Sequence, residues 1–219
     1  MDEYRVEFER ALDGATFRGP GDDTGDDLSD VLARYKRTGC SMLVTGDVSV
    51  ETATRAFRLL GGATDADRVR LVVFPDRATR DLAPMLPTGL DSNDETIATV
   101  TTSAPPSLDS LVKAVTDAVV DRDAENGGLS PGQLRLLLED LGPAVEAHAP
   151  DEVERFVRGV GAVVRGVRGM AFLRYPGIDP PTGLVDAVDG CVELREVATG
   201  PQHRWTLPAF DRSTNWMSL

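Results

Sequence analysis

The chain has 219 residues, a formal net charge of −13, 41% hydrophobic residues and 5% aromatics. That length suits one domain with a full core, and the acidic balance argues against direct nucleic-acid binding, which needs a basic footprint. No apolar run reaches the ~20 residues of a membrane span, the acidic N-terminus lacks a signal-peptide core, and a cytoplasmic protein is expected.

Residues 1–27 read as an acidic, partly flexible segment. Its start holds a short helix or strand, and GPGDDTGDD at 19–27 is Gly-rich and charged, as a mobile linker is. The Asp cluster there lacks a regular cation-binding loop. Residues 28–37 are predicted helical, with Ser29 as cap, Leu28, Val31, Leu32 and Tyr35 on one face, and Gly39 as the stop. Met42, Leu43 and Val44 form a buried strand ending in Thr45-Gly46. Ser49 then caps a helix. Ala53, Ala56, Phe57 and Leu60 share its face, and Gly61-Gly62 end it. Val69–Phe74 is a second strand, closed by Pro75. Asp76 and Arg77 follow at the strand's C-terminal end, where open α/β sheets place ligands, although a plain surface turn accounts for them as well. Pro84 and Pro87 break any long helix over 78–94. Residues 96–102 are β-branched, a third strand. Ser107 caps a helix with Leu108, Leu111, Val112, Val115 and Val119 on one face.

Two readings compete over 130–141. Ser130, Pro131 and Gln133 resemble the start of a helix, and Leu134, Leu137, Leu138 and Leu141 fit its spacing. Leu136-Leu137-Leu138-Glu139-Asp140 is also an apolar strand ending in acids. The alternating β/α order of the chain favours a strand over 134–138. Residues 151–167 are the clearest helix, with Asp151 and Glu154 as its capping box and a stripe from Val153 through Phe156, Val157, Val160, Val163 and Val164 to Val167. Gly159, Gly161 and Gly166 weaken it in isolation. Residues 170–175 make the next strand. Residues 191–196 and 203–207 pair as a hairpin through Thr199-Gly200. The apolar tail, Trp216-Met217-Ser218-Leu219, docks on its own domain or on a partner.

Residues 41–62 have the shape of a phosphate-binding strand, loop and helix, which needs G-x-x-x-x-G-K-[ST]. Counting from Gly46, Glu51 stands at the second glycine, Thr52 at the lysine and Ala53 at the Ser/Thr. Asp47 and Glu51 put negative charge where polyphosphate would sit. Such a loop is expected not to bind phosphate; the plainer alternative is an ordinary βα turn. The candidate residues for vestigial nucleotide contact are Gly46, Asp47, Ser49, Glu51 and Thr52, with Glu139 and Asp140 on the acid-ended strand. Cys40 and Cys191 read as buried thiols. His148 and His203 are too few and too far apart for a metal site. His148 reads as a helix-end residue. His203 and Trp205 read as half-buried strand packing, with Arg204 on the other face. Arg165 and Arg168 suit the negative pole of the long helix. Arg174 and Tyr175 finish a strand and face a ligand or a neighbouring subunit. There is no G-x-S-x-G elbow, and no catalytic residue, metal ligand or cofactor is assigned.

Lys36 and Lys113 are the only lysines. An acidic, Lys-poor chain with ordinary apolar content is expected of a halophilic protein that stays soluble in molar salt; an acidic partner-binding surface is the other reading. The element order is similar to the RecA/KaiC-like P-loop ATPase core, an α/β fold of three layers with a mostly parallel sheet, here with a C-terminal β-hairpin. KRTGCSMLVTGDVSVETATRAFRLLG, LSPGQLRLLLEDLGP, FVRGVGAVVRGVRGMAFLRYP, VDAVDGCVELRE and RWTLP…TNWMSL resemble a set of uncharacterised haloarchaeal proteins with a degenerate core of this kind. The resemblance covers residues 28–219 as a single domain. It implies that Glu139 lies where a Mg²⁺-associated acid would be, and that intact relatives use ATP and Mg²⁺. The expectation for this chain is a catalytically inactive domain, regulatory or scaffolding, acting through a protein partner or as a homo-oligomer. Residual nucleotide binding or weak ATPase activity is the alternative, and a transcription-associated regulator the second alternative. The chain has no convincing recognition helix.

Overall fold

The computed structural model of the chain describes residues 17–18, 28–62, 64, 68–74, 82–87, 89–101 and 107–219. The linker expected at 19–27, the element expected at the N-terminus, the strand stop at Pro75, and Asp76 and Arg77 lie outside the described residues.

In chain order the elements are β1 (Phe17–Arg18), α1 (Leu28–Thr38), β2 (Cys40–Thr45), α2 (Val50–Leu60), β3 (Val69–Phe74), a short 3₁₀ turn (Ala83–Met85), β4 (Ile97–Thr101), α3 (Leu108–Glu125), β5 (Leu134–Leu138), α4 (Gly142–Ala147), α5 (Pro150–Gly166), β6 (Met170–Tyr175), α6 (Thr182–Val185), β7 (Gly190–Val197), β8 (Gly200–Leu207), β9 (Arg212–Thr214) and β10 (Met217–Ser218). Among the described residues the ten strands form one sheet, ordered β1-β9-β8-β7-β2-β6-β5-β3-β4, with β10 also pairing to β8. From β7 through β2, β6, β5 and β3 to β4 the pairing is parallel; the C-terminal strands pair antiparallel.

The path from β2 to β3 runs one way along the sheet, and the paths from β4 to β5, β6 and β7 run back. Right-handed crossovers therefore place the connecting helices on opposite faces. The core follows. Val31, Leu32, Tyr35, Ala56, Phe57 and Leu60 of α1 and α2 pack on one face against Met42, Val44 and Phe172. Leu111, Val115, Phe156, Val157 and Val160 of α3 and α5 pack on the other against Leu43, Leu71 and Leu136. Strand alternation divides the side chains between the two cores, so strands covered on both faces need near-continuous apolar runs. All five residues of β5 are buried.

That double covering decides the 134–138 ambiguity in favour of a strand. The helix-start residues before it close a turn instead: Ser130 N donates to Gln133 Oε1 (2.7 Å), Gln133 N donates to Ser130 O (3.0 Å), and Gly132 sits at φ +72°. The capping box of α5 also differs from the one expected at Asp151 and Glu154. The helix begins with Pro150 at its first position, and Glu152 Oε2 accepts from Ala149 N (3.1 Å). Alanine has no side-chain acceptor, so only the glutamate half of the box exists. Gly161 brings α5 close to β2: a Cβ there would lie 3.0 Å from Ser41 Oγ.

His203 and Trp205 are more deeply buried than half-buried packing implies, each 2% exposed, because β10 covers β8 and the tail closes onto its own domain. Burial pushes the His203 imidazole down to about 4 from its ordinary 6.5. The unfolded chain therefore takes up a proton that the folded chain refuses. Stability contributed by neutral His203 is complete above pH 6.5 and drains away as pH falls from 6.5 to 4, by roughly 3 kcal/mol in all. In urea titrations from pH 4 to pH 8, H203F should lack this part of the acid destabilisation. Parallel curves for wild type and variant would refute it.

Candidate functional site

The loop from Gly46 to Ser49 stands at the C-terminal end of β2, with the ends of β6 and β7 on either side. Ser49 caps α2: its Oγ accepts from Thr52 N at 3.2 Å, and Ala53, Ala56, Phe57 and Leu60 are buried beneath. Gly46 N donates to Gly177 O beyond β6 (2.9 Å). On the other flank, Gly46 has φ +137°, and a Cβ there would come within 2.4 Å of Leu194 O on β7. The loop is wedged between two strands' backbones.

Three donors at this helix start converge on one carboxylate oxygen. Ser49 N (3.1 Å), Ser49 Oγ (2.5 Å) and Thr52 Oγ1 (2.6 Å) all donate to Glu196 Oε1 on β7. Backbone N–H groups at a helix N-terminus, with the positive end of its dipole, attract an anion, and here the chain supplies its own. The bond from the Ser49 hydroxyl, then those from the Thr52 hydroxyl and Ser49 N–H, hold the Glu196 carboxyl below its ordinary range. The side chain at the expected lysine position, Thr52, is 5% exposed and turned to this contact; Ala53 at the expected Ser/Thr position is likewise buried in the core. Asp47 and Glu51 are exposed beside it.

Glu139 and Asp140 lie on the same edge of the sheet, but β6 stands between β5 and β2. Two strand spacings put them roughly 10 Å away. Glu139 N donates to Val73 O (3.1 Å), and Asp140 Oδ1 accepts from Gly142 N (2.8 Å). Five of the seven candidate residues thus share one loop and helix start, and two stand apart. Glu196 was not among them. Period-2 alternation puts it on the α2 side of the sheet, but nothing local ties it to Ser49, 147 residues away.

Other expected residues fall elsewhere. Arg165 does more than face a helix pole: its Nη1 donates to Asp189 Oδ2 and Ser41 Oγ, each at 2.9 Å, tying α5 to the opposite end of β2. Arg174 is buried. Cys40 and Cys191 are buried and free. Burial, with Asp189 nearby, pushes the Cys40 thiol up to about 12; burial, with Glu193, pushes Cys191 to about 11. Such thiols are inert. His148 ends α4, its Nδ1 3.9 Å from Glu152 Oε2. It borders a groove of about 360 Å³ between α3 and α5 that also holds Asp109 and Arg155. Among the described residues no group of three or more His, Cys, Asp or Glu could hold a metal, and no helix is long and apolar enough to cross a membrane.

Fold and site define an α/β protein with a mostly parallel mixed sheet, helices on both faces and C-terminal hairpin strands, whose central strand–loop–helix is closed by its own carboxylate. The chain belongs to the family of unknown function DUF7504, which matches residues 39–187. No curated protein matches it.

Proposed function

We propose that this chain is a RecA-like domain without nucleotide chemistry, acting as a regulatory or scaffolding protein through protein–protein contacts. The observation that carries the reading is Glu196. Its carboxylate occupies the N-terminus of α2, where a bound phosphate would need the same donors. A phosphate would have to displace that carboxylate and then sit beside Asp47 and Glu51, with no lysine to offset the repulsion. The sheet supports the RecA-like part: the loop-bearing strand is interior and flanked by parallel strands, and a strand ending in Glu139-Asp140 lies on the same edge. A helix start whose Ser49 and Thr52 donors are held by the chain's own carboxylate favours surface contact as the function for this edge.

Calorimetric titration of ATP with Mg²⁺ into the protein in molar KCl tests the reading. No binding heat and no thermal shift are expected. Micromolar binding would overturn it in favour of a residual nucleotide-binding protein or weak ATPase. T52A and E139Q would then show whether those side chains carry the binding.

A further inference from the structure

Three of the residues that close the loop are each followed by an exposed apolar one. Gly177, bonded to Gly46, is followed by Ile178, 73% exposed; Ser49 by Val50, 76% exposed; and Glu196 by Val197, 37% exposed. Among the described residues these are three of the four large hydrophobics left open to solvent, the fourth being Val120 on α3. The hydrogen bonds that close the loop keep Ile178 and Val50 beside it, and alternation turns Val197 to the opposite face of the sheet from Glu196. The acids Asp47, Glu51, Asp179 and Glu196 are exposed among them.

One residue back along β7 the character of the surface changes. Alternation turns Arg195 to the other face of the sheet, beside Glu193. On β7 to β9 that face is lined by polar side chains, Gln202, Arg204, Thr206 and Ser213 among them, none of them fully buried. Arg204 pairs with Glu193. Arg195 bonds through Nε (2.9 Å) and Nη2 (2.7 Å) to the neutral Gln202 amide. Both guanidinium groups lie over Trp216, at 4.0 and 4.8 Å from the ring centroid. A cationic, aromatic patch thus adjoins an acidic, apolar rim at the end of one strand, on a chain of net charge −13.

We infer that this end of β7 is a self-association surface, occupied by a second copy of the chain about a two-fold axis. The inference rests on the reading of the chain as a contact domain and names its partner. Two unlike patches side by side are self-complementary under a two-fold: each acidic rim meets the other copy's arginine face. Two chains of net charge −13 repel one another on balance, and the arginine face offers a second copy the opposite charge. Ile178 and Val50 at the loop and Val197 on the arginine face supply apolar contact, which keeps its force when molar salt shortens electrostatic range to about 3 Å.

Sedimentation velocity of the full chain at 1–100 µM (a range of the order used for weak dimers) in molar KCl is the test. Wild type should sediment as a dimer. I178D and R195E should each weaken the dimer by about tenfold or more while melting like wild type, and V120D should leave it unchanged. A monomeric wild type overturns the inference, as does a dimer that survives both substitutions. ATP titration of the same samples separates the two readings. A monomer that ignores ATP loses this interface but keeps the inactive domain; a dimer that binds ATP does the reverse.

Discussion

Replacing Gly46 with valine should destabilise the domain by about 3 kcal/mol or more, lowering the melting temperature by roughly 10 °C. Two costs add. At φ +137° any L side chain is strained. A Cβ would also stand 2.4 Å from Leu194 O, a backbone atom of a strand hydrogen-bonded to β2 and β8, which cannot swing aside as a side-chain tip could. Gly128 provides the comparison: it has φ +100° and nothing within 4 Å of the added Cβ. G128A should therefore cost only the backbone term, on the order of 1 kcal/mol. Thermal melts of G46V, G46A and G128A in molar KCl separate the two terms. If G46A and G128A melt together, the overlap with β7 has no energetic weight. In a phosphate loop the first glycine lets backbone approach an anion; here it lets one strand's loop approach another strand.

The same glycine shows why the fold was legible and the site only half so. Apolar period and glycine stops located β2, α2 and β3 because those signals act within a turn or a strand. The missing lysine was equally local. The contacts that close the loop were not: they join Gly46 to Gly177 and Leu194, and Ser49 to Glu196, and depend on β6 and β7 flanking β2. A glutamate on an alternating strand reads as solvated until its neighbour is known. The burial of Arg70 and Arg135 was hidden for the same reason. Each stands second in a covered strand and turns back onto backbone carbonyls, Arg70 to Gly62 O and Arg135 to Gly132 O, so an apparently exposed position is internal. Over 130–138 the residues that look like a helix start, Ser130 and Gln133, close a turn instead, since sheet burial outweighs a helix start.

Removing the largest buried side chain outside the family match should be as damaging as a lesion within it. W205A is expected to cost 3–5 kcal/mol, the range for emptying a buried tryptophan site. Trp205 is 2% exposed and meets Phe172 edge-on, ring centroids 6.3 Å apart. Its backbone N–H donates to Thr214 Oγ1 (3.0 Å), so β8, β9 and the core of β6 converge on it. Its indole N–H is buried without a hydrogen-bond partner among the described residues. W205F should therefore cost much less than W205A: it keeps most of the apolar volume and removes an unsatisfied donor. Urea unfolding in molar KCl reads both. A W205A cost below about 1.5 kcal/mol would mean that β8 to β10 are an appendage to the domain. The expected cost means they belong to it: the family match ends at residue 187, but Trp205, Leu207 and Met217 sit in one apolar cluster with Met42, Val44 and Phe172. A chain cut after residue 187 should not hold the parallel sheet together, because β2 would lose β7 and become an edge strand with its closed loop undone.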